Sequence, residues 1–174
     1  MDTVGIVAVL ALVGFLGFVA TRPGSFKVQR SASINAPAET VFPLINDFHR
    51  WAEWSPFERF DPDMRRSFGG AQQGNGATYA WEGNNKAGKG SMEIIGSTPP
   101  SNVKIQLDFE KPFPSNNLTD FILQPSGDQT NVTWAMSGPS SFIVKFIGIF
   151  MSMDRMIGKD FEEGLFNLKR VAEA

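Results

Sequence analysis

The chain of 174 residues carries a formal net charge of −2 and contains no cysteine, 16 phenylalanines, four tryptophans and one tyrosine. The absence of cysteine excludes disulfide scaffolds, thiolate zinc sites, iron–sulfur clusters and cysteine nucleophiles. The slightly acidic balance gives no sign of the clustered positive face that nucleic-acid binding needs. The length suits one domain of ordinary size, and the excess of apolar rings favours a wide, apolar interior.

An unbroken run of apolar residues and glycines extends from Val4 to Ala20. As a helix rising 1.5 Å per residue it would be about 26 Å long, close to the roughly 30 Å hydrocarbon core of a bilayer. A cleaved signal peptide is one alternative, but no basic segment precedes the run, and bulky Phe18 stands where a cleavage site needs a small residue. A buried core helix would normally show a polar face. We therefore predict a transmembrane anchor over residues 1–22 and a domain over residues 23–174.

Three basic residues, Arg22, Lys27 and Arg30, follow the apolar run closely. Because basic residues favour the cytoplasmic side of a span, the sequence predicts a single-pass membrane protein with its domain in the cytoplasm. The glycines of the run are not spaced as a G-x-x-x-G dimer motif, so the sequence leaves the oligomeric state open.

The domain begins with the alternating segment Phe26–Ile34, whose even-numbered residues we expect on one face of a strand. A helix-start pattern around Pro37 predicts a short helix from Pro37 to Ile45, and a second is expected over Phe48–Glu53. From Arg65 onward the pattern changes to strands separated by short turns, which is typical of an antiparallel meander. The predicted strands of this part cover residues 77–82, 90–97, 102–110, 117–123 and 131–137.

A long amphipathic helix is predicted at the C-terminal end. Apolar residues recur at spacings of three and four from Phe142 to Val171, whereas most charged side chains take the opposite side. This pattern describes one helical face for about eight turns. The order of one strand, two short helices, about six strands and one long helix predicts an α+β domain.

This order of elements and three sequence segments resemble the START-like superfamily, also called the polyketide cyclase/dehydrase or SRPBCC family. The segments are Ser33–Phe42 with its proline-containing helix start, Asn46–Phe57 with its W-x-x-W-S-P motif, and Thr133–Gly138 before the final helix. The resemblance covers about Phe26 to Ala174. It implies a helix-grip fold, in which a curved antiparallel sheet of about six or seven strands surrounds a long C-terminal helix and a cavity.

Members of this family bind lipids, sterols, polyketides or quinone-like molecules, and some are enzymes. Many, including the membrane-anchored bacterial proteins that this chain is most similar to, have no assigned activity.

The sequence also predicts which side chains line the cavity. A bent sheet and a single helix cannot pack fully against each other along their length, so side chains or a ligand must fill the gap. We expect an apolar small molecule to bind there, and plain core packing is the alternative for each side chain. The candidate lining residues are Trp54, Tyr79, Trp81, Met92, Phe109, Phe121, Trp134, Met136, Phe150, Met153, Ile157 and Phe161.

The catalytic candidates are weak, and no metal or cofactor is expected. His49 is the only histidine, so it cannot form a multi-histidine metal site, and no nucleophile-elbow motif accompanies it. Asp160 lies near the inward stripe of the last helix, where it could orient a ligand. A second hypothesis is therefore an enzyme of the cyclase, dehydratase or hydrolase type that uses His49, Asp160, Tyr79 or Glu82 for proton transfer. A third is an interaction module whose Trp51–Phe57 surface meets another protein.

Overall fold

The helices and strands follow the predicted order, except at the C-terminal end. The structure is a computed structural model that describes residues 3–150 and 152–174. The α-helices are α1 Thr3–Ala20, α2 Ala38–Asn46, α3 Phe142–Phe150 and α4 Met153–Ala172, and two short 3-10 helices, Phe48–Glu53 and Pro56–Arg59, follow α2. The strands are β1 Ser25–Ile34, β2 Arg65–Gly70, β3 Ala77–Glu82, β4 Lys89–Thr98, β5 Asn102–Lys111, β6 Ser115–Ser126 and β7 Gln129–Pro139.

Within the described residues, the strands form one seven-stranded antiparallel sheet in the order β1-β7-β6-β5-β4-β3-β2. This number lies in the predicted range of six or seven. Strands β2 to β7 form the meander, and β1 pairs with β7 from Ser25↔Pro139 to Ile34↔Thr130. The pairing brings the start of the domain next to the end of the sheet, where the Ser140 amide donates to the Gly24 carbonyl at 2.9 Å.

One face of the sheet carries the core, as the alternation in β1 predicts. Val28 and Ile34 are buried, whereas the odd-numbered residues of β1 are exposed. Because successive side chains of a strand point to opposite faces, the even-numbered residues all meet the same layer. Helix α4 belongs to that layer and contributes the buried side chains of Phe161, Leu165 and Leu168.

The prediction of one continuous C-terminal helix from Phe142 to Val171 is wrong. The structure has two helices, and α4 begins anew after Ser152, whose hydroxyl accepts a hydrogen bond from the Arg155 amide. The apolar spacing runs across this break, so periodicity alone could not reveal it. The available signal was the serine followed by an acidic residue in the first turn, Asp154, since this is how many helices begin.

Helix α1 stands apart from the core. Its 18 residues are apolar or small, and Val19 is its one buried residue. Its packing partner is α3, where the Phe15 and Phe146 ring centroids lie 6.0 Å apart. In the described part of the chain it is the one helix long and apolar enough to span a bilayer. At a rise of 1.5 Å per residue it is about 27 Å long.

Candidate ligand cavity

A cavity of about 260 Å³ lies between the sheet and α4. Side chains of β3, β4, β5, β6 and β7 form one wall, and Ile157 and Phe161 of α4 form the opposite wall. The remainder comes from the two 3-10 helices with their flanking residues, from Met64 and from the β3–β4 turn. Most of these side chains are hydrocarbon or aromatic, which is typical of small-molecule pockets.

Eight of the predicted lining residues surround this cavity. They come from four strands and from α4, so the topology brings together side chains that lie up to about 80 residues apart in the chain. These eight residues are Tyr79, Trp81, Met92, Phe109, Trp134, Met136, Ile157 and Phe161.

The other four predicted lining residues lie elsewhere. Trp54 and Phe121 are fully buried behind the wall, where both rings contact Trp134, at centroid distances of 5.6 and 4.9 Å. Met153 and Phe150 lie beside the helix break, and the Phe150 side chain is 69% exposed on α3. The helix break explains this placement, because α3 does not continue the inward face of α4.

The sequence prediction missed part of the wall that follows α2. Trp51, Phe57 and Glu58 line the cavity from the two 3-10 helices, and Ser55 and Phe60 line it from the two ends of the second one. The aromatic W-x-x-W-S-P motif was the available signal. Its indoles are held inward, since Trp51 Nε1 donates to the Ile45 carbonyl at 3.0 Å. Further wall residues outside the prediction are Met64, Lys86, Ala87, Leu107 and Thr119.

The same motif bears on the interaction-module hypothesis. Trp51, Trp54 and Pro56 are buried, and the Trp54 Nε1 donates to the Leu44 carbonyl at 2.9 Å. The Asn167 side chain of α4 in turn donates to the Trp54 carbonyl at 3.2 Å. These aromatic groups are engaged inside the domain, so they offer little surface to another protein.

An aromatic stack joins the sheet and α4 beside the cavity. The rings of Trp134 and Phe161 are nearly parallel, with centroids 4.1 Å apart. Gly164 lies one turn further along α4, and a Cβ at this position would come within 2.6 Å of the Trp134 ring. Glycine at this position therefore allows α4 to approach the sheet closely enough for the stack to form.

A polar group borders the cavity at Glu58. The Tyr79 hydroxyl donates to Glu58 Oε1 at 2.6 Å, and the Arg66 Nε donates to Oε2 at 2.6 Å. Burial, followed by the hydrogen bond to Glu58, raises the pKa of Tyr79 above its ordinary value. The phenol therefore stays protonated, and the carboxylate is neutralised by Arg66. The Tyr79 hydroxyl and the Glu58 carboxylate satisfy each other's hydrogen-bonding capacity. This arrangement suits a structural role better than proton transfer.

The other catalytic candidates lie outside the wall. His49 is half exposed, its Nδ1 lies 2.8 Å from Asp47 Oδ1, and its ring stacks on Phe68. Glu82 pairs with Arg65 at 2.9 Å. Among the residues that the structure describes, no group of three or more histidine or acidic side chains could hold a metal.

Asp160 lies close to the cavity without lining it. Burial raises the pKa of its carboxyl, the charge of Glu163 raises it further, and the charge of Lys86 acts in the opposite direction. Lys86 belongs to the cavity wall, and its ammonium lies 4.7 Å from the centre of the Phe60 ring. The exposed Lys86 and the half-buried Asp160 thus give one part of the rim a polar character.

Two buried polar atoms of wall residues have no hydrogen-bond partner among the described residues. These atoms are the Ser55 hydroxyl oxygen and the Trp134 Nε1. A buried polar group without a partner costs about 1–3 kcal/mol, so such groups are uncommon in native proteins. Both groups can donate a hydrogen bond.

A second depression lies at the far end of the sheet, on β1, β5, β6 and β7. It is larger, about 680 Å³, and includes Phe26, Lys27 and Asn117. It is wide open to solvent and has a mixed polar wall, so a bound molecule would remove little apolar surface from water there. The more enclosed cavity under α4 is the better site on this physical ground.

Solved structures of other proteins share this architecture. A protein from Thermobifida fusca is 20% identical, with a TM-score of 0.63 over 84% of this chain and 92% of that one. Protein CV1439 from Chromobacterium violaceum is 15% identical, with a TM-score of 0.61 over 87% and 99%. The Aha1 dimer from Colwellia psychrerythraea is 16% identical, with a TM-score of 0.58 over 85% and 96%. At these identities the likeness defines the fold, which is the helix-grip fold.

The family follows from the sequence match. Residues 25–173 match the family model described as polyketide cyclase / dehydrase and lipid transport. The chain belongs to this family, which agrees with the resemblance of its proline and tryptophan motifs. A comparison with curated proteins found no match. The family supports a module for hydrophobic ligands in general, without naming the ligand.

Proposed function

We propose that this protein is a membrane-tethered module that binds one apolar small molecule in the cavity between the sheet and α4. The observation that carries the proposal is the partly enclosed, mostly apolar cavity of about 260 Å³. An apolar cavity of about 150 Å³ is enough to hold benzene, so this one has room for a larger ring system or a short lipid chain. Burial of the ligand would contribute about 25 cal/mol per Å² of apolar surface.

The wall suits a ligand of variable shape. Met92 and Met136 both belong to it, and methionine side chains adapt to irregular partners because they are unbranched and polarizable. Tyr79 contributes its ring while its hydroxyl is engaged by Glu58. A lipid-, polyketide- or quinone-like molecule fits this wall better than a sugar or a nucleotide, which would leave polar groups without partners.

The rim favours a ligand with a polar end. Lys86 belongs to the wall and is exposed, and its ammonium can donate a hydrogen bond to an oxygen atom. We therefore propose an oxygen-containing apolar molecule, with its more polar end close to Lys86 at the rim.

A membrane span formed by α1 would bring the cavity close to such a ligand. We propose that α1 spans the bilayer and that residues 23–174 form the domain at its surface, on the cytoplasmic side, as Arg22 and Lys27 predict. Apolar molecules partition into bilayers, so a cavity held at the membrane surface meets a higher ligand concentration than a free domain would. This arrangement suits transport or presentation of the ligand more than chemistry on it.

The test is to fill the cavity. The full chain in nanodiscs would be titrated with the fluorescent apolar probe 1-anilinonaphthalene-8-sulfonate, and native mass spectrometry would look for a co-purified molecule. Met92→Trp adds a large ring to the wall, and we expect it to reduce probe affinity at least tenfold. Ile95→Trp is the matched control, since Ile95 lies on the same strand but is exposed and outside the wall.

The proposal would be wrong if the wild type bound no probe and carried no apolar molecule. It would also be wrong if the Met92 and Ile95 variants bound the probe equally well. A thermal unfolding scan of both variants would establish that each is folded before binding is compared.

A further inference from the structure

We propose that α3 is a second membrane-contacting element, which inserts its apolar side chains into the outer part of the same bilayer leaflet that α1 crosses. This inference rests on the proposed membrane span of α1. It concerns a different segment, Phe142–Phe150, which lies between the sheet and the helix that covers the cavity.

The composition of α3 does not suit contact with water. Its sequence is FIVKFIGIF, with Lys145 as the one charged residue. Phe142, Ile143, Phe146 and Phe150 are each between 40% and 69% exposed, and no residue of α3 is buried. A helix that is apolar on every side is normally buried in a core or in a membrane. Here the domain does not cover it.

The contacts of α3 show its direction along α1. The Ser140 amide donates to the Gly24 carbonyl at 2.9 Å, just before α3 begins. The Lys145 ammonium donates to the Ala20 carbonyl at 3.2 Å, and Phe146 meets Phe15. Residue numbers rise along α3 while they fall along α1, so the two helices are antiparallel. As α1 leads into the membrane, α3 therefore runs beside it toward the lipid.

Lys145 marks the level of the membrane surface. Its ammonium satisfies a carbonyl at the C-terminal end of α1, where the helix dipole favours a positive charge. Arg22 lies at the same end, with its guanidinium carbon 5.8 Å from the centre of the Phe18 ring. Two basic side chains at one level suit the interface, where such groups reach the headgroups while their stems stay in apolar surroundings.

The length of α3 limits how deeply this helix can enter the bilayer. The five residues from Phe146 to Phe150 advance about 7.5 Å along the helix, and interfacial helices bury their apolar face to about 5–10 Å. The whole helix is about 13.5 Å long, less than half of the roughly 30 Å needed to span. The chain must therefore return to the domain on the same side, and it does so at α4, where Asp154 pairs with Arg30.

Lipid is a better occupant for this surface than a second copy of the chain. The exposed side chains of α1 and α3 form one continuous apolar surface around the Phe15–Phe146 contact. Whatever medium surrounds α1 therefore reaches α3 as well. The consequence concerns the ligand, because Ile157 of the cavity wall follows Phe150 by only seven residues. The cavity would open close to the lipid from which we propose that its ligand comes.

The test measures depth with single-cysteine labels. Because the natural chain contains no cysteine, each variant carries one thiol. Phe150→Cys reports on α3, Leu12→Cys on α1, and Asp128→Cys on the exposed β6–β7 turn. The full-length variants would be labelled with the fluorophore NBD and reconstituted into phosphatidylcholine vesicles with 20% phosphatidylglycerol. Quenching by lipid carrying a shallow spin label would be compared with quenching by aqueous iodide.

We expect the label at position 150 to be quenched by the spin-labelled lipid at least threefold more than the label at position 128, and to be protected from iodide. The inference is overturned if position 150 behaves as position 128 does while position 12 is quenched by lipid. Protection of position 150 from both quenchers would also overturn it, since a second copy of the chain would then cover α3. Failure of the label at position 12 to meet lipid would instead overturn the membrane span itself.

Discussion

The guanidinium of Arg30 in β1 holds the first turn of α4 through the carboxylate of Asp154. Its Nη1 and Nη2 atoms lie 2.8 and 3.0 Å from the two carboxylate oxygens, and its Nε donates to Glu162 at 2.6 Å. The hydrogen bond to Arg30 is the main reason that the pKa of Asp154 lies below its ordinary value. Since the pKa is depressed in the folded state, the stabilising contribution of Asp154 is present above about pH 4. It is lost as the pH falls through the folded value.

We predict that Arg30→Met lowers the melting temperature of the full chain in detergent by a few degrees at pH 7. The difference from the wild type should shrink as the pH falls from about 4 through the depressed folded pKa of Asp154, because below that pKa Asp154 is protonated in both proteins. Arg155→Met is the matched control, since Arg155 is exposed on the same helix. Thermal unfolding by circular dichroism between pH 3 and pH 7 measures this. Equal shifts for the two arginine variants would contradict the prediction.

A second prediction concerns the approach of α4 to the sheet. Gly164→Ala would place a methyl group within 2.6 Å of the buried Trp134 ring, so we expect a loss of about 1–3 kcal/mol in the free energy of unfolding. The Trp134–Phe161 stack should also shift and weaken probe binding in the cavity. Urea unfolding, followed by tryptophan fluorescence, gives the stability.

Gly148→Ala is the control for this change. Gly148 also lies in a helix, but apart from its chain neighbours and the nearby backbone of that helix, no atom of the described chain lies within 4 Å of the position its Cβ would take. Alanine is a better helix former than glycine, so this variant should lose no stability. If both glycine variants lost the same amount, close packing at Gly164 would not be the cause.

A third prediction uses the single tyrosine of the chain. Because the pKa of Tyr79 is raised, the absorbance of its phenolate should not appear at pH 10–11 while the protein stays folded. The unfolded chain releases this proton near pH 10, so stability should fall as the pH rises above that value. Spectrophotometric titration at 295 nm, in parallel with circular dichroism, tests both statements. A normal titration of the folded protein near pH 10 would refute them.

Removing the Tyr79 hydroxyl tests whether this group stabilises the fold or binds the ligand. Tyr79→Phe should cost about 1–2 kcal/mol, because Glu58 loses a hydrogen bond from a neutral donor. The aromatic ring remains in place, so probe affinity in the cavity should stay within about twofold of the wild type. A large loss of affinity with little loss of stability would instead assign the hydroxyl to the ligand.

A fourth prediction decides the role of Asp160. The pKa of its carboxyl is raised, so the ionised form is disfavoured by the fold and stability should increase as the pH falls through the folded value. Asp160→Asn should therefore leave stability at pH 7 unchanged or slightly higher. Probe affinity should also be retained if the group only borders the cavity. Glu163→Gln, which removes a neighbouring exposed charge, is the control. A tenfold loss of affinity in the Asp160 variant alone would show that its carboxylate orients the ligand.

Much of the sheet could be predicted because its local patterns agree with the final packing. In β1 and β5 the alternation of side chains matches the two faces of the sheet, and β3 begins at Ala77 and ends at Glu82 as expected. Turn residues separate the strands of the meander, so the pairing of neighbours follows from chain order. The pairing of β1 with β7 was not predicted, because local pattern does not show which distant strands become neighbours.

The residues that line the cavity were less predictable, because they depend on how the helices and strands pack in three dimensions. Trp54 and Trp51 belong to one motif, yet Trp51 lines the cavity while Trp54 is buried behind it. Periodicity distinguishes inward from outward side chains, but not a residue that faces a hollow from one that faces a neighbour. Phe150 was predicted to line the cavity but lies outside it for another reason. The helix break before Met153 removes it from the inward face of α4.

The pairing of β1 with β7 has a consequence for biosynthesis. Ile34 pairs with Thr130, so the strand that leaves the ribosome directly after α1 waits for a partner made about 100 residues later. At a synthesis rate of about 5–20 residues per second, this strand stays unpaired for about 5–20 s. Until then β1 presents an unpaired strand edge, which is a template for pairing with another chain.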